Sequence, residues 1–371
     1  MDFDFSDDQE QLRDAVRKWV DKGYDFDRRR AIVAAGGFDR AAYGELAELG
    51  LTGLYVNEDH GGMGMGPTEA MVTMEELGRG IVLEPLTQTL ITSATLQTHA
   101  PAALQATWLP RMAAGEAMVV LAHQERGARY QLSRCAAHAS QSNAAWSVSG
   151  TKSVVPVGDQ ADAFLVPATV NGEIALFLVE RSASGVSTQG YITQDGSRAA
   201  ELLLNQAPAQ LVTLNGLTAL EEAVDIGIAC VCAEAVGVMD KTLAITVDYM
   251  NTRKQFGVNI ASFQALRHRV ADMKMQLELG RSMSYYASLK LHAPAEERRR
   301  AMARAKYQLG VSMRFIGQQA VQLHGGIAVT DEYIVSHYFK KLTQLDMSFG
   351  DTLHQLGEVS ARMQDTAGVF A

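Results

Sequence analysis

Apolar residues in the first third of the chain recur at the spacing of an α-helix. Leu12 and Val16 fall on one helix face. Ser6, followed by acidic residues, marks the helix start, because a serine hydroxyl caps free backbone N–H groups and carboxylates favour the positive end of the helix dipole. Further helices are predicted from about 41 to 49, where a glycine ends the pattern, and from Thr68 onward. Helices therefore dominate this region.

The pattern changes in the middle third, where short apolar runs rich in β-branched and aromatic residues alternate with Gly, Asn, Asp and Ser. Four such runs cover about 146–155, 163–166, 174–179 and 200–204. They lie too close together for the helical crossovers that join parallel strands. We therefore predict a separate β domain in this part of the chain.

Helical periodicity returns in the last third and continues almost to the end of the chain. One predicted helix runs to about Arg253, two more cover about 263–291 and 295–323, and a fourth follows Ser348. Long helices joined by short loops form antiparallel bundles. We therefore predict a helical bundle after the β domain.

A chain of 371 residues is expected to hold two or three domains, and the change of pattern divides this one into 1–118, 119–217 and 218–371. Hydrophobic residues make up 47% of it, enough for sizeable cores. The net charge of -9 argues against broad nucleic-acid binding, although a local basic pocket can still take a small anion. The longest apolar run, 226–233, is too short to cross a membrane, and the acidic start is no secretory leader. We expect a cytoplasmic protein without membrane insertion.

Several common catalytic and metal-binding patterns are absent from the sequence. The nine histidines include no His-x-x-x-His pair, and the three cysteines form neither a Cys-x-x-Cys motif nor a disulfide framework. There is no Gly-x-Ser-x-Gly nucleophile elbow and no P-loop. We therefore predict no metal site and no hydrolase or nucleotide hydrolase of these classes.

Two segments of the last third carry candidate chemistry. Residues 253–257 (RKQFG) place cations at the end of one long helix, where they either complement the helix dipole or meet an anion. Residues 322–327 (QLHGGI) end a helix with two glycines, which stop a helix but also let a ligand approach the backbone closely. Each segment alone leaves both interpretations open.

Together with the domain order, these segments make the sequence similar to the acyl-CoA dehydrogenase family over nearly its whole length. Residues 3–13, 46–64 and 75–79 (EELGR) resemble that family as well. The most specific match is the pair RKQFG and QLHGG at this separation. The resemblance implies a mostly helical α+β fold with an N-terminal helical domain, a middle β-barrel-like domain and a C-terminal four-helix bundle.

The resemblance also implies a flavoenzyme that dehydrogenates an acyl-CoA thioester between its α and β carbons. FAD would be the cofactor, bound between domains and across a subunit interface. In this family the arginine of the first motif meets the FAD diphosphate, and a guanidinium fork matches phosphate oxygens. The FAD contacts carried over to this sequence are Arg253, Phe256, Gln264, Gln322, Gly325, Gly326, Thr352 and His354.

The base that removes the α-proton is not where the family usually has it. The usual glutamate precedes Gly-Thr or Gly-Ser, whereas this chain reads SFGDT. If Thr352 keeps the family's register, the base position is Gly350 and the carboxylate has moved to Asp351. Asp351 is then either the catalytic base or a helix cap. The family's second base location falls at 227–228, which holds Gly and Ile, and the nearby Asp225 is shifted to another helix face.

The middle region departs from the family too. The Gly-x-Lys at 150–152 is followed by Ser-Val-Val-Pro, without the aromatic and hydroxyl residues that contact the flavin, and 122–128 is only faintly similar to the family's first flavin loop. These departures, with residues 330–354, resemble one branch of the family. That branch is the small subunit of pimeloyl-CoA dehydrogenase, which pairs with a larger paralogous subunit.

Two further functions stay open beside an acyl-CoA dehydrogenase that uses Asp351 as its base. One is a non-catalytic partner that stabilises a heterotetramer and completes the FAD site of a larger subunit. The other is an oxygen-using flavoprotein on the same fold. For the dehydrogenase, the implied partners are an acyl-CoA substrate, an electron-transfer flavoprotein as acceptor, and further subunits in a homotetramer or heterotetramer.

Overall fold

The computed structural model describes residues 5–363. Six helices occupy the first part: α1 (Asp7–Gly23), α2 (Phe26–Ala34), α3 (Arg40–Glu48), α4 (Pro67–Arg79), α5 (Leu86–His99) and α6 (Ala102–Ala113). The predicted start of α1 is confirmed: the Ser6 hydroxyl accepts from the Gln9 backbone N–H, and the Gln9 side chain accepts from the Ser6 backbone N–H. Residues 3 and 4 of the family-like first segment lie outside the described residues.

The sequence analysis did not predict α2, which carries three consecutive arginines and no apolar periodicity. Arg29 is nevertheless fully buried, and its guanidinium donates to the backbone oxygen of Asp195 at 2.5 Å. This helix is therefore stabilised by a long-range hydrogen bond that a local hydrophobic pattern does not reveal.

The middle region is a β structure, as predicted. Its strands are β1 (Val119–Leu121), β2 (His138–Ser142), β3 (Ala145–Pro156), β4 (Ala163–Val170), β5 (Glu173–Glu180), β6 (Val186–Ile192) and β7 (Arg198–Thr213). Five of them, in the order β4, β2, β3, β7 and β5, close into a barrel because β4 pairs with both β2 and β5. The barrel core includes Val148, Phe164, Phe177 and Leu202.

The last region is helical again. It contains α7 (Gly216–Thr252), a hairpin of β8 (Lys254–Gln255) and β9 (Val258–Asn259), then α8 (Gln264–Lys290), α9 (Ala295–His324), α10 (Ile334–Met347) and α11 (Thr352–Ala361). Helices α8, α10 and α11 all contact α9. The predicted helix after Ser348 is α11, and α10 was not predicted although its buried residues recur on one face. The predicted fold class is confirmed by this order of helices, barrel and helices.

Two compact units share these elements. One comprises Met1–Asp27, Pro67–Val82 and Ile228–Ala371, and the other comprises Arg28–Gly66 and Leu83–Gly227. The N-terminal helices are divided between them, because α1 and α4 pack with each other and α4 with α8, whereas α5 packs on β1. The three-way division at residues 118 and 217 stays a prediction about domains.

Within the first of these units, α4 and α7 approach each other through glycines. A Cβ on Gly237 would lie 1.8 Å from the backbone oxygen of Glu75, and one on Gly78 would lie 2.1 Å from the backbone oxygen of Glu234. Charged side chains surround this crossing: Arg281 pairs with Glu75, and Arg17 and Arg79 pair with Glu76. The family-like segment EELGR therefore serves helix packing in this structure.

Candidate functional site: the hairpin and glycine turn at one end of the helical region

The RKQFG segment forms a tight hairpin between α7 and α8. The Arg253 N–H donates to the Tyr249 oxygen at 2.8 Å, and the Ile260 N–H closes the hairpin on the Arg253 oxygen at 2.9 Å. Phe256 and Gly257 form its tip with φ of 54° and 79°, the left-handed conformation that a two-residue hairpin turn needs. Phe256 is 91% exposed at this tip. The fold thus holds an aromatic ring in solvent, where it can stack on a planar ligand.

The hairpin carries two exposed cationic side chains that can bind an anion. Arg253 and Lys254 are exposed, and within residues 5–363 neither side chain makes an ion pair. Gln264, the first residue of α8, is exposed beside them. A cavity of about 310 Å³ lies next to the hairpin and is lined by Val247, Met250, Asn251, Ala261, Arg267 and Val270. An anionic ligand would therefore meet unpaired cations beside a partly apolar recess.

The QLHGG segment ends α9 with an open glycine turn. Gly325 has φ 69° and ψ -145°, a conformation essentially restricted to glycine. A Cβ on Gly325 or Gly326 would meet no atom within 4 Å. Close packing within the protein is therefore not the reason for glycine at these two positions. Gln322, Gly325 and Gly326 are all exposed. The turn therefore presents bare backbone to an external group.

Tyr249 and His324 join the two segments. The Tyr249 hydroxyl donates to the backbone oxygen of His324 at 3.2 Å, and the two rings stack with their centroids 4.4 Å apart. Arg269 of α8 adds a second link to α9 by donating to the Gln319 side chain at 2.7 Å. Because Tyr249 lies one helical turn before Arg253, the hairpin and the glycine turn are held at one end of the helical region. Both segments were predicted from the sequence. The roles of Tyr249 and His324 were not, because the two residues are far apart in the chain and meet only in the folded protein.

The His324 ring has a defined protonation state. Its Nδ1 donates to the Ala320 oxygen at 2.8 Å, and burial lowers the pKa of the imidazole, so the neutral Nδ1–H form is present near neutral pH. Its Nε2 is buried and has no hydrogen-bond partner among the described residues. Burial thus disfavours a charged His324 ring, and the ring that stacks on Tyr249 is neutral.

The remaining predicted contacts lie at the start of α11, on another part of α9. Asp351 is the N-cap of α11, where its Oδ1 accepts from the His354 N–H at 2.8 Å. Thr352 is buried and donates to Asp346 Oδ1 at 2.6 Å. A Cβ on Gly310 would meet Thr352 Oγ1 at 2.1 Å, so this turn packs against α9 twelve residues before Gln322, about 18 Å along a helix.

The structure therefore does not bring all the predicted residues together within this chain. The linked pair of turns contains five of them: Arg253, Phe256, Gln322, Gly325 and Gly326. Gln264 lies nearby, at the start of α8. Asp351 and Thr352 form a second group with His354, which is half-buried and whose pKa burial lowers.

The two segments of the β region whose sequences differ from the family pattern, 122–128 and 150–156, contact each other. Lys152 is fully buried and donates to Glu125 Oε1 at 2.7 Å and to the Pro167 oxygen at 2.8 Å. Glu125 also accepts from the Ala136 and Ala137 N–H groups, so both charges are satisfied. The Gly-x-Lys pattern could be recognised in the sequence. The sequence did not indicate that its lysine, Lys152, is the buried partner of Glu125.

The outward face of these loops offers little to a ligand. Ser153 donates its hydroxyl to Glu201 at 2.9 Å, and Arg126 pairs with the same carboxylate at 3.4 Å. Val154 has φ 52°, a strained conformation for a β-branched residue, and its side chain is 48% exposed. Val154 therefore presents an apolar side chain, which cannot donate a hydrogen bond to a ligand.

Neither a cluster of metal-ligating side chains nor a membrane-spanning helix is found within residues 5–363. No group of three or more His, Cys, Asp or Glu side chains there could hold a metal ion. None of the helices between residues 5 and 363 is both long enough and apolar enough to cross a membrane.

Comparison with known proteins gives matches to two family models. The acyl-CoA dehydrogenase N-terminal domain matches residues 6–116, and the acyl-CoA dehydrogenase C-terminal domain matches residues 215–364. The chain belongs to the acyl-CoA dehydrogenase family. As an acyl-CoA dehydrogenase family member it is an oxidoreductase that acts on acyl-CoA thioesters, and FAD is the cofactor of this family.

Individual relatives of this acyl-CoA dehydrogenase chain match 90% or more of its length. The acyl-CoA dehydrogenase IpdE2 of Mycobacterium tuberculosis is 28% identical over 336 residues, covering 90% of each chain. The solved Tcur3481–Tcur3483 steroid ACAD has a TM-score of 0.90 at 28% identity, covering 97% of this chain and 99% of the other. The ChsE4–ChsE5 complex from Mycobacterium tuberculosis shares the fold, with a TM-score of 0.90 at 24% identity and coverage of 99% and 100%.

The linked pair of turns fits the diphosphate and adenosine half of FAD. Arg253 offers an unpaired guanidinium, Phe256 an exposed ring, and Gly325 and Gly326 open backbone. These exposed groups have the chemistry that the phosphate and adenine parts of a dinucleotide require.

Proposed function

We propose that this chain is a subunit of an FAD-dependent acyl-CoA dehydrogenase that introduces a double bond between the α and β carbons of an acyl-CoA thioester. The observation that carries the proposal is the Tyr249–His324 contact, which holds the exposed Arg253 hairpin beside the open Gly325–Gly326 turn. This pairing of cations and bare backbone suits a dianionic dinucleotide.

In this proposal each residue has a separate task. The Arg253 guanidinium binds the FAD diphosphate, and the Phe256 ring packs against the adenosine. Gln264 hydrogen-bonds the adenosine half as well. The segment that contains Gln322, Gly325 and Gly326 is held beside Arg253 and contacts the same FAD, which is that of a neighbouring subunit in a homotetramer or heterotetramer. FAD supplies the acceptor for the β-hydride when it is bound.

Removal of the α-proton is assigned to Asp351 in this proposal. Its Oδ1 caps α11 through the His354 N–H, and a carboxylate has a second oxygen that can accept a proton. Asn and Ser also cap helices well, so Asp351→Asn and Asp351→Ser should keep α11 intact. Both variants should bind FAD as the wild type does and lose its reduction by acyl-CoA. Unchanged reduction in either variant would remove Asp351 as the base.

The whole proposal is tested on the purified chain. The expected result is about one FAD per subunit in its visible spectrum, bleaching under anaerobic conditions with at least one member of an acyl-CoA panel, and reoxidation by an electron-transfer flavoprotein. A chain that binds FAD but is reduced by no acyl-CoA would contradict the dehydrogenase function, whereas peroxide formation without an acceptor would favour the oxygen-using alternative. The cytoplasmic location stays a prediction, to be checked by cell fractionation.

A second candidate is a non-catalytic subunit that completes the FAD site of a larger paralogue. Two observations favour it. Asp351 is engaged as a helix cap. In the segment after Lys152, where the family has a hydroxyl contact to the flavin, Val154 is apolar and the Ser153 hydroxyl is bonded to Glu201. The solved structures similar to this chain include a ChsE4–ChsE5 complex. Co-expression with a neighbouring paralogous gene should then give a heterotetramer whose FAD content falls when Arg253 of this chain is replaced. Stoichiometric FAD and acyl-CoA reduction in the chain alone would reject this candidate.

A further inference from the structure

A lysine is buried beneath the turn that leads into α11. Lys306 of α9 has no solvent exposure, and its Nζ donates to the backbone oxygens of Asp346 at 2.8 Å and Gly350 at 3.3 Å. We propose that Lys306 is a positioning residue, which fixes residues 346–352 so that Asp351 and Thr352 stay where the reaction needs them. The inference rests on the proposed function, because that function assigns the roles of these two residues.

The turn needs such a support because its backbone is strained. Phe349 has φ 56° and Gly350 has φ 106°, so two consecutive residues lie in the left-handed region. A Cβ on Gly350 would lie 2.5 Å from both the Gln355 and the His354 side chains. Strained backbone of this kind persists only where surrounding bonds over-determine it.

Hydrogen bonds hold the turn from both sides. Lys306 donates hydrogen bonds to the carbonyls of Asp346 and Gly350. The Gln355 amide donates to the Phe349 oxygen at 3.0 Å. The Thr352 hydroxyl closes the turn on Asp346 Oδ1. Lys306 reaches the Asp346 and Gly350 carbonyls from α9, so it couples the turn to that helix.

Lys306 and Gly310 act on the same face of α9, because residues four apart lie one above the other on a helix. Gly310 lets Thr352 approach the helix, since a Cβ there would meet its Oγ1 at 2.1 Å. The ionisable groups that face the ammonium are the Cys232 thiol of α7 and the carboxylates of Asp346 and Asp351. The charges of Asp346 and Asp351 both favour the protonated form of Lys306.

Loss of the ammonium has a predictable consequence. Methionine at position 306 would fill similar volume but would remove the donor from the Asp346 and Gly350 carbonyls, which disfavours the observed turn. The turn would relax, and Asp351 would move with it relative to a bound thioester. Misplacement of a catalytic group lowers the rate of the chemical step more than it weakens substrate binding.

The experiment compares Lys306→Met with Lys341→Met. Lys341 is also buried and pairs with Glu234 of α7 at 2.7 Å, so its loss carries a comparable structural cost away from the turn carbonyls. The readouts are hydrogen exchange of peptides covering residues 346–356, and the rate constant of flavin reduction at saturating acyl-CoA with the substrate KM. Lys306→Gln, which keeps a donor, serves as the milder variant.

The expected result is specific to the turn. Lys306→Met should speed exchange in residues 346–356 and lower the reduction rate constant about tenfold or more, with KM changed far less. Lys306→Gln should lie between it and the wild type, and Lys341→Met should leave exchange in this peptide unchanged. Equal effects of Lys306→Met and Lys341→Met, or unfolding of both Lys306 variants while Lys341→Met folds, would overturn the inference. If wild-type FAD is reduced by no acyl-CoA, the proposed function fails, whereas the exchange result still decides the role of Lys306 in the turn.

Discussion

Tyr249 donates its hydroxyl proton to the backbone oxygen of His324 at 3.2 Å while the two rings stack at 4.4 Å. Tyr249 lies one turn before the Arg253 hairpin, and His324 directly precedes the two glycines of the other segment. The Tyr249 contact therefore holds the cationic hairpin close to the open backbone turn, and the Arg269–Gln319 hydrogen bond adds a second link. These features are far apart in sequence, so tertiary contacts of this kind bring them together.

Replacing Tyr249 by Phe should separate the hydrogen bond from the stacking. The variant loses one neutral hydrogen bond, which is worth about 0.5–1.5 kcal/mol of the free energy of unfolding, and keeps the ring. We expect FAD affinity to fall by a few fold, because the glycine turn is held less firmly. Urea unfolding and FAD titration measure the two effects. Tyr307→Phe, on the same helix as His324, is the control and should change neither; an FAD affinity equal to wild type in Tyr249→Phe would argue against the link.

Replacing Arg253 by Ala should weaken FAD binding without destabilising the fold. The side chain is exposed and unpaired among the described residues, so the free energy of unfolding should change by less than about 0.5 kcal/mol. A charge-assisted hydrogen bond to phosphate is worth about 1.5–3 kcal/mol, or roughly tenfold to a hundredfold in affinity.

Fluorescence titration with FAD at low and high ionic strength measures this loss. Arg253→Lys should recover part of the affinity, because it restores the charge but not the fork. The exposed Arg304 of α9 provides the control, and Arg304→Ala should bind FAD as the wild type does. Equal losses in the Arg253 and Arg304 variants would indicate a general charge effect.

Replacing Gly237 by Ala should strongly destabilise the packing of α4 against α7. The new methyl group would lie 1.8 Å from the Glu75 backbone oxygen, which cannot move without its helix. Overpacking of this kind costs about 1–3 kcal/mol or more. Gly357→Ala in α11 is the opposite control: its Cβ meets nothing, and Ala is a better helix former by about 0.8–1 kcal/mol. Thermal unfolding should shift in opposite directions, and a stabilised Gly237→Ala protein would contradict the close helix approach.

His123 should make the protein sensitive to mild acid. Burial, assisted by the charge of Lys152, lowers the pKa of His123 from 6.5 to about 4. Below about pH 6.5 the unfolded chain takes up a proton that the folded protein accepts only near pH 4, so stability is complete above this window and is lost as the pH falls through it. The loss amounts to about 2 kcal/mol between neutral pH and pH 5.

His123→Gln removes the ionisable group and should flatten this part of the stability curve. Urea unfolding of both proteins at neutral pH and at pH 5 measures the difference between them. His138, which is exposed on β2, provides the matched control, and His138→Gln should keep the wild-type slope. A His123→Gln protein with the wild-type pH dependence would show that the imidazole does not titrate in this window.

Much of the fold was predictable from local pattern. The helix start at Ser6, the long helices α8 and α9 and the β character of residues 146–204 all follow from capping chemistry and hydrophobic periodicity, which act over a few neighbouring residues. Helix α2 was missed because its buried Arg29 is stabilised by Asp195, a residue far away in sequence. Closure of the barrel was likewise decided by the pairing of β4 with two strands.

The features of the candidate site also separate into those that follow from local sequence and those that depend on tertiary contacts. Residue type and spacing, which are local properties, were enough to predict the segments RKQFG and QLHGG, the order of helical and β regions, and the unusual carboxylate position at Asp351. The folded protein was needed to show that Tyr249 joins the two segments, that Asp351 caps α11, and that Lys306 lies beneath the turn before it. These relations depend on which helix faces meet, and only the packed core selects those faces.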